Sequence, residues 1–190
     1  MPAKILAFSG SARRESFNQK LVTAAAERTR QHGVEVTLIN LRDFPMPLYD
    51  GDLEAEQGAP EAAGRLYDLM LEHQGLLLAC PEYNSSITPL LKNTIDWLSR
   101  GREGDPPLAA FRGKTAGLLA ASPGALGGLR GLVTVRSILG NIGVLVTPTQ
   151  LAVPKVHEAL GADGTIQDAK LSEMLDAVCR ELAATTTALA

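Results

Sequence analysis

At 190 residues, 45% hydrophobic and 21% charged, the chain has the size and composition of one globular domain with a sizeable core. A formal net charge of -3 excludes the basic footprint of a nucleic-acid binder, and two cysteines with three histidines at unrelated spacings offer neither a disulfide framework nor a metal-ligand pattern. The chain holds no run of about eighteen apolar residues, and the short apolar segment after Met1-Pro2-Ala3-Lys4 is not a signal peptide, so no membrane association is expected and the expected location is the cytoplasm.

Ile5 to Phe8 is continuously apolar, the mark of a strand covered on both faces, and Ser16 to about His32 has helical spacing through Leu21, Val22 and Ala25. Gly33 closes that helix. Val34, Val36 and Leu38 then alternate with polar residues, which suits an edge strand. From Leu41 to Pro60 the chain reads as a long acidic loop, either a cover over a site or interface or a solvated connector. Helical spacing returns at Ala62, Leu66, Leu69 and Met70, and Leu76 to Cys80 forms a second fully apolar strand.

Pro81 to Ser86 follows as a polar loop, and Thr88 with Pro89 is a good helix start, with Leu91, Ile95 and Leu98 on the buried face. Trp97 belongs with that core, Lys92 and Asp96 form a surface pair, and Cys80 is an inert packed thiol. Thr115 to Ala121 is a third buried strand opening into the small-residue loop Ser122 to Gly128. A helix over Leu129 to Ile142 carries Arg130 in its solvated first turn. A strand around Val144 to Val146 and a last helix through Leu171 to Leu182 complete the pattern, with the tail from Thr185 frayed.

Five strands alternating with five helices predict a doubly wound α/β parallel sheet, one domain over residues 1–190, with strand order 2-1-3-4-5. In that order the first and third strands are neighbours at the switch point, so Ser9 to Asn18 and Pro81 to Ser86 converge on one crevice.

The first of these stretches has the chemistry of an anion cradle. Gly10 and its small neighbours let the backbone turn sharply, the hydroxyls of Ser11 and Ser16 and the amide of Asn18 can donate to phosphate oxygens, and Arg13 offers a planar fork. The helix that follows aims its N-terminus at the same spot. Ser16 and Gln19 also make a capping box, which accounts for those two residues and leaves Ser11, Arg13 and Asn18 unexplained. The loop lacks the Gly-Lys-Ser/Thr of a Walker loop and the spaced glycines of a dinucleotide turn, so a terminal monophosphate fits best.

Gly10 to Asn18, Pro81 to Ser86 and Leu91 to Trp97 together resemble the NAD(P)H-dependent FMN reductases, a flavodoxin-like family that includes quinone, chromate and azo-dye reductases. The resemblance implies FMN held by its phosphate at Ser11, Arg13, Ser16, Phe17 and Asn18, with Phe17 acting through its backbone N–H. Pro81, Glu82, Tyr83, Asn84 and Ser85 would border the ring, and Ser122, Gly124 and Gly127 would close the site. It further implies NADPH or NADH as co-substrate, a small-molecule electron acceptor and a homodimer or homotetramer, with no side chain as catalytic nucleophile because the flavin carries the chemistry. The alternative is a flavodoxin-type electron carrier that does not turn over pyridine nucleotide.

Overall fold

The computed structural model of the chain describes residues 2–161 and 164–190. Strand β1 (Lys4–Ser9) leads into helix α1 (Phe17–Gln31), and β2 (Glu35–Leu38) returns parallel to β1. The expected long loop over 41–60 instead contains a 3-10 turn (Leu41–Asp43) and helix α2 (Gly51–Gln57). Asp50 accepts from the N–H groups of Asp52 and Leu53 at 2.8 and 3.4 Å, and Asp52 and Glu54 lie in the first turn, so the acids read as a connector start a helix. Helix α3 (Glu61–Glu72) and strand β3 (Gly75–Ala79) follow.

Beyond β3 a hairpin replaces the expected polar loop. Strands β4 (Glu82–Tyr83) and β5 (Ser86–Ile87) pair antiparallel across Asn84 and Ser85, whose φ values are 50° and 66°. Two consecutive left-handed residues give the primed turn whose twist matches its strands. Helix α4 (Pro89–Ser99), strand β6 (Thr115–Ala121) and helix α5 (Leu129–Asn141) come next, then β7 (Leu145–Val153), α6 (Val156–Ala159) and α7 (Ala169–Leu189). β7 is much longer than expected, because an outermost strand tolerates Pro148. Arg136 donates to the Val146 and Thr147 carbonyls along it at 3.3 and 2.9 Å.

The main sheet is parallel with order β2-β1-β3-β6-β7, the predicted 2-1-3-4-5 pattern of a flavodoxin-like fold. Alternate residues of each buried strand feed two cores. Ile5, Ala7, Leu77 and Leu119 pack under α1 and α7, while Leu6, Phe8, Leu78 and Leu118 pack under α3, α4 and α5. The tail expected to fray is instead the end of α7, where the buried Thr186 hydroxyl meets that of Thr115 at 2.6 Å. Gly75 makes this approach possible, since a Cβ there would lie 2.8 Å from Thr186 Oγ1.

The segment before α2 is strapped onto α4. Trp97, buried as expected, donates through Nε1 to the Pro47 carbonyl at 2.8 Å, and Asn93 donates to the same oxygen at 2.9 Å. Among the described residues no helix is long and apolar enough to cross a membrane.

Candidate functional site

The segments leaving β1, β3 and β6 share one end of the sheet, at the point where the strand order reverses. A cleft opens there, walled by Ser11, Arg13, Ser16, Phe17 and Asn18 from the first segment. Pro81, Glu82 and Tyr83 from the second and Ala121, Ser122 and Pro123 from the third complete it. Its volume is about 80 Å³.

The first segment presents unpaired donors. Ser16 caps α1 by accepting from the Gln19 N–H at 3.3 Å, which leaves the N–H groups of Phe17 and Asn18 without partners among the described residues. The exposed Arg13 guanidinium has no partner among them either. Ser11 Oγ accepts from the Arg13 N–H at 3.3 Å and keeps its own hydrogen to donate. The capping box is half made, because Gln19 Oε1 is buried and unpartnered, as is Ser9 Oγ at the end of β1. Two backbone donors, two hydroxyls and a guanidinium at a helix N-terminus form a donor set suited to a phosphate dianion.

Two residues that local sequence reasoning missed hold this turn in place. Thr88, read only as an N-cap, accepts from the Leu91 N–H at 3.1 Å and donates to the Gly10 carbonyl at 2.7 Å. A Cβ on Gly10 would lie 3.0 Å from Leu91 Cβ, so the crossing of the turn over α4 requires glycine. Arg42 donates to the Ala12 carbonyl through Nε at 3.1 Å and through Nη2. The C=O and N–H of a trans peptide point opposite ways, so these bonds leave the Arg13 N–H on the side where it meets Ser11 Oγ.

Asn18 departs from its expected use as a side-chain phosphate donor. Its Oδ1 accepts from the Ala121 N–H at 2.9 Å and one Nδ2 hydrogen goes to the Ala121 carbonyl at 2.8 Å, so the side chain is anchored on β6 while the backbone N–H of Asn18 faces no partner among the described residues.

The hairpin's Glu82 lines the cleft and anchors it to α5. Glu82 turns its carboxylate onto α5, accepting from Arg130 Nε and Nη2 at 3.0 and 2.7 Å and from the Gly131 N–H at 3.0 Å. Burial works to raise its pKa, but these bonds outweigh it and hold the carboxyl below its ordinary value. Arg130 is therefore paired, where a solvated side chain was expected. Tyr83, 49% exposed, stands on the rim. Asn84 and Ser85 are exposed at the hairpin tip, outside the walls of the cleft.

In the third segment Ser122 Oγ accepts from the Gly124 N–H at 3.2 Å, and the Gly124 carbonyl accepts from Lys155, so Gly124 shapes the turn. Gly127 faces β7 and not the cleft: a Cβ there would lie 2.6 Å from the Val153 carbonyl carbon. Burial pushes the Cys80 thiol up to about 12, consistent with an inert packed thiol.

A larger depression lies between α1 and α7, where most of the polar side chains are already engaged. Arg28 donates to the Ser172 carbonyl and hydroxyl at 2.6 and 2.7 Å, and Asp176 sits between His32 and Arg180, each at 3.0 Å. The switch-point cleft, with its unpaired donors, is the candidate site.

Comparison with known proteins agrees. The family model for NADPH-dependent FMN reductases matches residues 3–158. A Pseudomonas aeruginosa protein named as an NAD(P)H-dependent FMN reductase is 33% identical over 173 residues, covering 90% of this chain and 89% of that one. An Escherichia coli K12 quinone reductase is 34% identical over 144 residues, 75% of this chain and 72% of its own. The solved structure of FerB, a flavoenzyme NAD(P)H:(acceptor) oxidoreductase from Paracoccus denitrificans, superposes with a TM-score of 0.81 at 25% identity, covering 98% of each chain. A match across most of the chain, joined to a cradle of unpaired donors at the switch point, makes this protein a member of the NADPH-dependent FMN reductase family.

Proposed function

We propose that the protein is an NAD(P)H-dependent FMN oxidoreductase that passes reducing equivalents from a nicotinamide to a small-molecule acceptor such as a quinone, an azo compound, a metal oxyanion or free flavin. FMN, when bound, would supply the chemistry of hydride uptake from nicotinamide and electron delivery to the acceptor. The chain's own residues position it. Arg13 pairs with the phosphate, joined by the N–H groups of Phe17 and Asn18 and the hydroxyls of Ser11 and Ser16. Pro81, Tyr83 and Ser122, which line the same cleft, would border its ring, Tyr83 from a half-exposed position.

The observation that carries this reading is the set of unpaired donors on the first turn of α1, set in the same cleft as segments from β3 and β6. An electron carrier would share the fold, but the quinone reductase among its relatives favours an enzyme. The exposed apolar side chains Leu126, Leu129 and Val133 lie at the start of α5, next to the hairpin, and support assembly as a homodimer or homotetramer. The protein works in the cytoplasm. The test is steady-state kinetics of the FMN-loaded protein at varied NAD(P)H and quinone. Parallel double-reciprocal lines are expected, and no nicotinamide-dependent quinone reduction would remove the proposal.

A further inference from the structure

The geometry points to Asn18 as a positioning residue whose side-chain amide locks the anion-binding turn to the third wall of the cleft and is not itself a phosphate ligand. The inference rests on the flavin-binding reading above and adds how the two ends of that site keep their separation.

Ala121 is the last residue of β6, and its N–H and C=O face the side where β3 would lie. Two residues earlier Leu119 is still paired on that side, its carbonyl accepting from the Cys80 N–H at 2.7 Å. There β3 has already ended, and the groups that would carry the ladder on to Ala121, the Cys80 carbonyl and the Glu82 N–H, make no bond to it. On the opposite side the ladder continues, with the Ser122 N–H on the Val153 carbonyl at 3.1 Å. Ala121 would therefore keep an unmet donor and acceptor in a buried position, a costly arrangement.

Asn18 fills the missing place. A primary amide carries an acceptor and a donor in one plane, as a peptide does, and Asn18 closes both bonds at 2.9 and 2.8 Å. The residue is 5% exposed, so water competes little for either bond. Asn18 also lies in the first turn of α1, beside the unpaired N–H groups, while Ala121 precedes Ser122. Two hydrogen bonds between residues 103 apart in sequence thus join the anion end of the cleft to its third wall.

Aspartate in the same place keeps the acceptor for the Ala121 N–H but sets a second oxygen against the Ala121 carbonyl, and alanine removes both bonds. The experiment compares wild type, Asn18→Ala and Asn18→Asp for binding of FMN and of riboflavin, which lacks the phosphate. Both variants are expected to weaken both flavins by a similar factor, about tenfold for two buried hydrogen bonds. The visible circular dichroism of bound flavin should also change, which a uniformly destabilised protein would not show. Loss of FMN affinity with riboflavin affinity intact would overturn the inference and make Asn18 a phosphate ligand. A measurement on wild type needs no variant to fold: the Asn18 side-chain amide protons should exchange slowly in flavin-free protein and keep their NMR shifts when inorganic phosphate is added. A large shift with phosphate would overturn the inference. Failure of wild type to bind either flavin would instead remove the functional proposal and leave this NMR test standing.

Discussion

The Glu82 carboxylate reaches the first turn of α5, taking the Arg130 guanidinium at 2.7 Å and the Gly131 N–H at 3.0 Å. α5 begins at Gly128, which has no side chain to cap it, so the hairpin supplies the cap from the other side of the cleft. Gly131 leaves little room to spare, since a Cβ there would lie 3.3 Å from the Ser86 carbonyl and 3.4 Å from Glu82 Cβ.

Replacing Glu82 with alanine should lower stability by about 1.5 to 3 kcal/mol, the range for hydrogen bonds to a charged group. Glu82→Gln should lose less, because it still accepts from Gly131. The folded-state pKa lies below the ordinary 4.5, so the contribution is present above that value and lost as pH falls through the depressed one. Urea midpoints of wild type and variant should therefore converge on acidification. A gap that persists in acid would show that the carboxylate's charge is not what stabilises α5.

Arg13→Ala should weaken FMN by about 1.5 to 3 kcal/mol and leave riboflavin affinity unchanged, because the guanidinium serves only the phosphate. Arg42→Ala should cost less, about 1 kcal/mol, because Arg42 acts on the turn through the Ala12 carbonyl. Fluorescence titration of both flavins measures each. Unchanged FMN affinity in Arg13→Ala would remove the phosphate from this turn.

Lys114 is 6% exposed, donates to the His73 carbonyl, and is pushed down to about 8 by burial. A lowered lysine pKa means that the charged form is disfavoured in the folded state. The penalty is full below about 8 and is relieved as pH rises toward the ordinary 10.5. The difference in unfolding free energy between wild type and Lys114→Met should shift toward wild type by up to about 3 kcal/mol across that window. A difference independent of pH would place the Lys114 ammonium in contact with water.

The three central strands and their order were legible in the sequence because each announces itself over several consecutive residues, Ile5 to Phe8 being the plainest. The hairpin was not. Four paired residues are too few to show alternation, and Asn84-Ser85 lacks the glycine that usually marks a primed turn. β7 was read only around Val144 to Val146, and its continuation through Pro148 is possible because proline is harmless at an edge. α7 was ended early at polar Thr185 and Thr186, yet Thr186 is buried against Thr115.

For the site, sequence brought together the right segments, Asn18 and Glu82 among them, and did not show where those two side chains are anchored. Asn18 and Glu82 both look like ligands in isolation, since each is polar and sits in a loop or first turn. Their partners, Ala121 and the Arg130–Gly131 turn, lie 103 and 48 to 49 residues away, and only the fold brings them into reach. Arg42 was passed over, and Thr88 was read correctly as an N-cap but not as a partner of Gly10, for the same reason.

The central claim, that this cleft holds FMN and serves a nicotinamide-driven reductase, is tested most directly by the visible spectrum of the protein reconstituted with FMN and kept free of oxygen. NADPH or NADH should bleach the flavin band and a quinone should restore it. A bound flavin whose band neither nicotinamide changes would contradict the account.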